Sequence, residues 1–171
     1  VLTVGHAYLA GTPLAKAAQI SLDNLSKSLS QSCSVATLDG DDVLYIARTA
    51  VNNLVSIDIG RGSRLPAWAT SMGRVLLSAL PEAELEAWLG RAKLIRYTQY
   101  SITTIAQLRE EIALVRRQGY AINDQQLEIG LRSVAVPMLA RGGKVVAAMN
   151  VGVPAAELTV ADLRAQILPP L

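Results

Sequence analysis

Side chains suited to binding a small molecule lie on one face of a predicted β-hairpin. Its strands cover residues 133–138 and 145–153 and are joined by a Gly142–Gly143 turn. Because side chains alternate between the two faces of a strand, the hairpin has one bulky and one small face. The bulky face, predicted to build a core, comprises Val134, Val136, Met138, Val145, Ala147, Met149, Val151 and Val153. The small and partly polar face comprises Ser133, Ala135, Pro137, Val146, Ala148, Asn150 and Gly152.

The small face has two interpretations. It either leaves room for a small ligand or meets another part of the backbone closely. We interpret it as the floor of a small-molecule pocket, with tight packing of a helix on the sheet as the alternative.

Residue types needed for catalysis or metal binding are sparse. His6 is the single histidine and lies far along the chain from the hairpin, so neither a Ser-His-Asp nor a Cys-His site is indicated. Cys33 is the single cysteine, which excludes an internal disulfide and a cysteine-based zinc site, and its apolar neighbours predict a buried thiol. No glycine-rich phosphate-binding motif joins a strand to a helix. The sequence predicts a binding protein that is not an enzyme and uses no metal or cofactor.

Composition favours one globular domain. The chain has 171 residues, 51% of them hydrophobic, and a net charge of +2, which does not indicate binding to nucleic acid through this surface. No signal peptide is evident, and no apolar run reaches the length of a membrane helix, so we expect a cytoplasmic protein. Because the first residue is not Met, we expect this chain to be a domain or fragment of a longer protein.

Helices and strands occur in an order typical of the α+β class, with helices packed on a mostly antiparallel sheet. Predicted strands cover residues 34–38, 43–49, 53–59, 120–123, 131–138 and 145–153. Predicted helices cover residues 13–29, 66–80, 81–88 and 104–118, with a last helix that begins near 155 or 159 and continues to 168.

The helix predicted from Pro66 has small residues in its first half, namely Thr70, Ser71 and Gly73. Glycine inside a helix is about 1 kcal/mol less favourable than alanine. We therefore expect compensation at Gly73, either from a close backbone approach or from a ligand near the exposed N–H groups.

Four segments resemble one known family, in the order that the family has them. They are residues 65–74, 108–121, 130–137 and 147–152. Together they resemble the C-terminal effector-binding domain of the isocitrate-lyase-regulator (IclR) transcription factors. Segments 70–77 and 124–133 are most similar to those of the regulators of protocatechuate, 4-hydroxybenzoate and β-ketoadipate catabolism.

The resemblance implies a GAF/PAS-like fold, in which helices flank a curved antiparallel sheet. It implies that residues 1–11 are the end of an interdomain linker and 12–171 the effector-binding domain. DNA would then bind through an N-terminal winged helix-turn-helix domain that is absent from this chain. The resemblance also implies that the protein binds a small carboxylate effector, assembles as a homodimer or homotetramer and does not bind a membrane.

The resemblance also implies a set of pocket residues. They are Leu54, Ile57, Ser71, Met72, Asn123, Leu131, Ser133, Asn150 and Gly152. Asn123 stands where the family often has an acidic residue. Where a member that binds glyoxylate or pyruvate has a cysteine and two serines, this chain has Ser133, Asn150 and Gly152, so we expect a larger ligand.

A buried carboxylate needs hydrogen-bond donors or a cation. We expect the donors to be Ser71, the backbone N–H groups beside it, Ser133 and Asn150, with Arg64 as the candidate cationic partner. Arg132 should point to the opposite face of the sheet from Ser133. The hypothesis is that effector binding changes operator affinity by shifting the arrangement of domains or subunits. The alternatives are a GAF-like enzyme or cofactor-binding module and a ligand-free oligomerisation domain.

Overall fold

The computed structural model describes residues 13–51 and 59–171. The strands are β1 (Ser32–Asp39), β2 (Asp42–Thr49), β3 (Arg64–Pro66), β4 (Ala121–Asp124), β5 (Leu131–Leu139) and β6 (Val145–Pro154). The helices are α1 (Pro13–Leu29), α2 (Ser71–Ser78), α3 (Glu82–Arg91), α4 (Ile105–Gln118) and α5 (Val160–Asp162). A 3-10 turn (Ala67–Ala69) precedes α2, and a π-helical turn (Leu163–Ile167) continues α5.

All six strands join one antiparallel sheet in the order β3-β2-β1-β6-β5-β4. One face packs against α2, α3 and α4 in a cluster that includes Met72, Trp88 and Ile112. The other face packs against α1 and the C-terminal turn in a cluster that includes Leu22 and Leu163. This arrangement confirms the predicted α+β class.

The hairpin of β5 and β6 forms as predicted, with one exception. Gly142 and Gly143 take positive φ values of 96° and 83° in its turn. A register shift between Met138 and Leu139 pairs Leu139 with Val145 and Met138 with Ala147. The extra residue turns Val145 onto the α2 side of the sheet, so its predicted place on the bulky face was wrong.

The segment predicted to be one helix from Pro66 divides into β3, the 3-10 turn and α2. The helix begins only at Ser71, because the Thr70 hydroxyl accepts the N–H of Gly73 and caps it. Thr104 caps α4 in the same way, and Gly119 ends it at a φ of 82°. The predicted strand 53–59 falls almost wholly outside the described residues, as do the predicted linker residues 1–11.

The described residues were compared with the requirements of a membrane-spanning helix and of a metal site. None of their helices is both long and apolar enough to span a membrane. Within the same ranges, no three His, Cys, Asp or Glu side chains are grouped as metal ligands would be.

Cys33 is fully buried, and burial raises the pKa of its thiol to about 12. An unfolded thiol has a pKa near 9, so the folded state holds the proton more tightly. We therefore expect the free energy of unfolding to fall as the pH rises from about 9 towards 12. Between pH 8 and pH 10 the thiol should account for about 1 kcal/mol of this loss. Urea unfolding of the wild type and of Cys33→Ala at both pH values measures this contribution. An equal fall in the free energy of unfolding in the two proteins would contradict its assignment to the Cys33 thiol.

Candidate ligand-binding cavity

Two neighbouring rows of residues cross the sheet on the face that α2 covers. Residues paired between antiparallel strands lie on the same face, so each row presents its side chains together. The first row comprises Ser32, Gly152, Ser133 and Asn123, on β1, β6, β5 and β4. The second comprises Arg48, Ser34, Asn150 and Ala135, on β2, β1, β6 and β5.

Small side chains in these rows leave a cavity between the sheet and the start of α2. About 560 Å³ of space free of protein atoms lies along its walls, a figure that includes open solvent at its mouth. Its described lining comprises Ser32, Tyr45, Arg48, Ile59, Leu65, Thr70, Ser71, Asn123, Leu127, Leu131, Ser133, Asn150 and Gly152. A mostly apolar wall with a few convergent polar groups is typical of small-molecule sites.

The structure brings six of the nine pocket residues expected from the sequence to this cavity. They are Ser71, Asn123, Leu131, Ser133, Asn150 and Gly152. Met72 follows Ser71 but is fully buried in the core below the cavity. Leu54 and Ile57 lie outside the described residues.

Ser71 owes its position to a close approach between α2 and the preceding 3-10 turn. A Cβ atom on Gly73 would lie 2.0 Å from the carbonyl oxygen of Ala67, so only glycine fits there. Of the two compensations expected for Gly73, the structure therefore shows the close backbone approach. With α2 held in this way, the Ser71 and Ser133 hydroxyl oxygens lie 2.9 Å apart and share a hydrogen bond.

Asn123 has its amide group committed to neighbouring backbone. Its Nδ2 donates to the carbonyl of Ala69 at 2.6 Å, and its Oδ1 accepts the N–H of Gln126 at 3.1 Å. The side chain thus ties the 3-10 turn to the segment that carries Leu127. Asn123 thus shapes the cavity wall, and one Nδ2 hydrogen and one Oδ1 lone pair remain available.

Arg64 lies away from the cavity. It is on the edge strand β3, where its guanidinium forms ion pairs with Asp39 at 2.6 Å and Asp42 at 3.3 Å. Arg132 points to the opposite face from Ser133, as expected, and donates to Asp124 and to the carbonyls of Ala155 and Leu158.

Arg48 is the cationic side chain in the described lining, and sequence reasoning missed it. In β2, Tyr45 pairs with Ala36 and Ala47 pairs with Val35, so Ile46 is an extra, unpaired residue. This bulge puts both Tyr45 and Arg48 on the cavity side, whereas positions three apart in a regular strand face opposite ways. The alternation of side chains along β2 does not by itself indicate the bulge at Ile46.

The Arg48 end of the cavity is polar and only partly exposed to water. Arg48 is half-buried, and its Nη1 donates to the Ser34 hydroxyl at 3.0 Å. Tyr45 is almost fully buried, which raises the pKa of its phenol to about 12, while the charge of Arg48 acts in the opposite direction. The phenol is therefore neutral and able to donate a hydrogen bond near physiological pH.

Comparison with known proteins relates almost the whole chain to one family. The family described as "Bacterial transcriptional regulator IclR C-terminal" matches residues 6–171. The Pca regulon regulatory protein of Pseudomonas putida is 48% identical over 170 residues, which cover 99% of this chain and 58% of that protein. The chain spans between 57% and 62% of the length of the first three curated relatives it matches.

Solved structures have the same fold. A transcriptional regulator from Rhodococcus sp. RHA1 is 43% identical, with a TM-score of 0.93 over 99% of this chain and 69% of that chain. The inducer-binding domain of the PobR transcription factor from Acinetobacter, a double mutant in complex with 3-hydroxybenzoic acid, is 33% identical. Its TM-score is 0.86 over 94% of each chain. These similarities confirm the predicted curved antiparallel sheet flanked by helices and the predicted resemblance to the regulators of protocatechuate, 4-hydroxybenzoate and β-ketoadipate catabolism.

Proposed function

The chain belongs to the IclR C-terminal family of bacterial transcriptional regulators, and we propose that it binds a small organic acid that modulates operator binding by the complete protein. The reported relatives are named as regulators and not as enzymes, in agreement with the sequence. In this proposal DNA binds through a part of the protein outside this chain. The complete regulator works in the cytoplasm as a homodimer or homotetramer, and the acid shifts its population between two arrangements of the domains or subunits.

The observation that supports an acid is the position of Arg48. A carboxylate taken out of water needs a charged or hydrogen-bonding partner, and a guanidinium can supply both. Apolar side chains of Ile59, Leu65, Leu127 and Leu131 form the apolar part of the wall and suit a ring or a carbon chain.

Sheet geometry separates the two polar ends of the cavity. Ser34, which contacts Arg48, and Ser133, which contacts Ser71, lie two strands apart and two residues apart along the strands. With regular strand spacings, their Cα atoms are about 12 Å apart. This distance favours an acid with a second polar group at its far end over a two- or three-carbon acid. A hydroxylated aromatic acid or a β-ketoadipate-like acid meets this requirement, and the hydroxybenzoate complex of PobR supports the aromatic class.

A thermal-shift screen of the purified domain tests the proposal. The panel comprises protocatechuate, 4-hydroxybenzoate, β-ketoadipate, glyoxylate and pyruvate. A ligand at 100 times its Kd stabilises the native state by about 2.7 kcal/mol, which raises the Tm of a domain of this size by roughly 5–10 °C. We expect such a shift from at least one of the first three acids and none from the last two. No shift with any acid, together with firm self-association, would favour the oligomerisation module.

Ser133→Leu tests whether the acid occupies this cavity. We expect binding to be lost because the larger side chain fills the space between β5 and α2 and removes the hydrogen bond to Ser71. Ser133→Ala keeps the space and removes only the hydroxyl, so its Kd should rise about 3- to 10-fold. Titration calorimetry measures both, with circular dichroism to check folding. Unchanged binding to a folded Ser133→Leu domain would place the ligand elsewhere.

A further inference from the structure

The phenol of Tyr45 lines the cavity, and no hydrogen bond joins its hydroxyl to another described residue. Tyr45 is 5% exposed, and its ring packs in the cluster between the sheet and α2. Among residues 13–51 and 59–171, its hydroxyl oxygen has no hydrogen-bond partner and is not one of the fully buried unpaired atoms, so it faces accessible space. Buried tyrosine hydroxyls usually have such a partner. Because Tyr45 lines the cavity, a ligand is in a position to supply it.

Arg48 determines which part of a ligand lies near this phenol. The β2 bulge puts Tyr45 and Arg48 on the same side of the sheet, and the phenol lies close enough to be affected by the guanidinium charge. One Arg48 nitrogen donates to Ser34, and other N–H donors of the guanidinium remain. An anionic oxygen is attracted to the guanidinium, and a neutral phenol beside it can donate to the same anion.

We propose that Tyr45 is a ligand-contacting residue whose phenol donates a hydrogen bond to the carboxylate that Arg48 binds. This inference rests on the proposed function of the domain as an acid sensor. In it, the bulge at Ile46 creates a two-residue acid-recognition site from one strand. Tyr45 adds selectivity for a carboxylate, because its O–H and the guanidinium fix the position of the group from two directions.

Tyr45→Phe tests the inference, because it removes the hydroxyl and keeps the ring. The probes are 4-hydroxybenzoate, protocatechuate and β-ketoadipate, titrated by calorimetry into each protein. A hydrogen bond to a charged group is worth about 10- to 100-fold in affinity, so the Kd should rise by that factor for each acid that binds the wild type. Tyr120→Phe is the matched control: the Tyr120 hydroxyl accepts from Arg164, and Tyr120 does not line the cavity, so the Kd should be unchanged.

Two further measurements separate ligand contact from a structural role. The Tm of ligand-free Tyr45→Phe should equal or exceed that of the wild type, since the lost hydroxyl has no described partner. In the double variant of Tyr45→Phe and Arg48→Gln, the loss of binding free energy should differ from the sum of the two single losses, because both residues act on one carboxylate.

Each outcome bears on a different proposal. If no acid binds the wild type, the proposed function and the inference both fail. If acids bind the wild type and Tyr45→Phe equally, or if the two substitutions are strictly additive, the inference fails while the proposed function stands. If ligand-free Tyr45→Phe has a lower Tm, and its Kd rises only as far as that loss of stability explains, the role of Tyr45 is structural and the inference is overturned.

Discussion

Arg48→Gln is expected to weaken binding of the acid effector about 100-fold or more while the domain stays folded. Removing one partner of a desolvated charge pair costs about 3 kcal/mol or more, because the other charge is left without compensation. Glutamine can still donate a hydrogen bond to Ser34, so the local contact within the sheet survives. Calorimetry with the acid that gives the largest thermal shift measures the change in Kd.

Arg64→Gln is the matched control for Arg48→Gln. It removes the same charge from the neighbouring part of the sheet, but Arg64 is exposed and paired with Asp39 and Asp42. Exposed ion pairs contribute little, so both the Kd and the Tm should change only slightly. Equal losses of affinity in the two variants would show that net charge matters, and not the position of Arg48 in the cavity.

Gly73→Ala is expected to destabilise the domain by about 2 kcal/mol or more, although alanine is the better helix former. The new Cβ would lie 2.0 Å from the oxygen, 2.4 Å from the Cα and 2.5 Å from the carbonyl carbon of Ala67. These are backbone atoms and cannot be relieved by a side-chain rotation. The 3-10 turn and α2 must separate, so the Tm should fall by at least about 4 °C. The shift of α2 should also displace Ser71 and weaken acid binding.

At Gly90, the same glycine-to-alanine substitution is expected to have the opposite effect on the stability of the domain. Gly90 lies in α3, is exposed, and has no atom within 4 Å of the position a Cβ would take. Alanine there should stabilise the domain by up to about 1 kcal/mol through helix propensity alone. A similar fall of Tm in Gly73→Ala and Gly90→Ala would contradict the close-approach explanation for Gly73.

Local alternation was enough to predict the hairpin and the part of the cavity that it forms. Ser133, Asn150 and Gly152 lie on a face that has period two over these stretches of β5 and β6, so the pattern identified them together. The glycine turn and the Thr104 cap of α4 are likewise local features, determined by backbone conformation within a few residues. Resemblance to a family added Ser71, Asn123 and Leu131, which lie on other elements.

Local pattern failed wherever an extra residue changed the register. The bulge after Met138 turns Val145 to the other face, and the bulge at Ile46 brings Arg48 onto the cavity side. A bulge depends on the pairing of two strands, so it is absent from the pattern of either strand alone. Arg64 was chosen from its closeness in sequence to the pocket segments, but the edge position of β3 places it beside the acidic turn between β1 and β2.

The sequence by itself determined the class of the fold, the small polar face of the hairpin and the membership of a regulator family. These follow from residue type and from periodicities of two and 3.6, which act over a few residues. Only the tertiary structure decided which cation lies in the cavity, why position 73 must be glycine, and that Asn123 supports the wall. Each of these depends on atoms that are distant in the sequence or on a strand register, and both are determined when the sheet and its helices pack together.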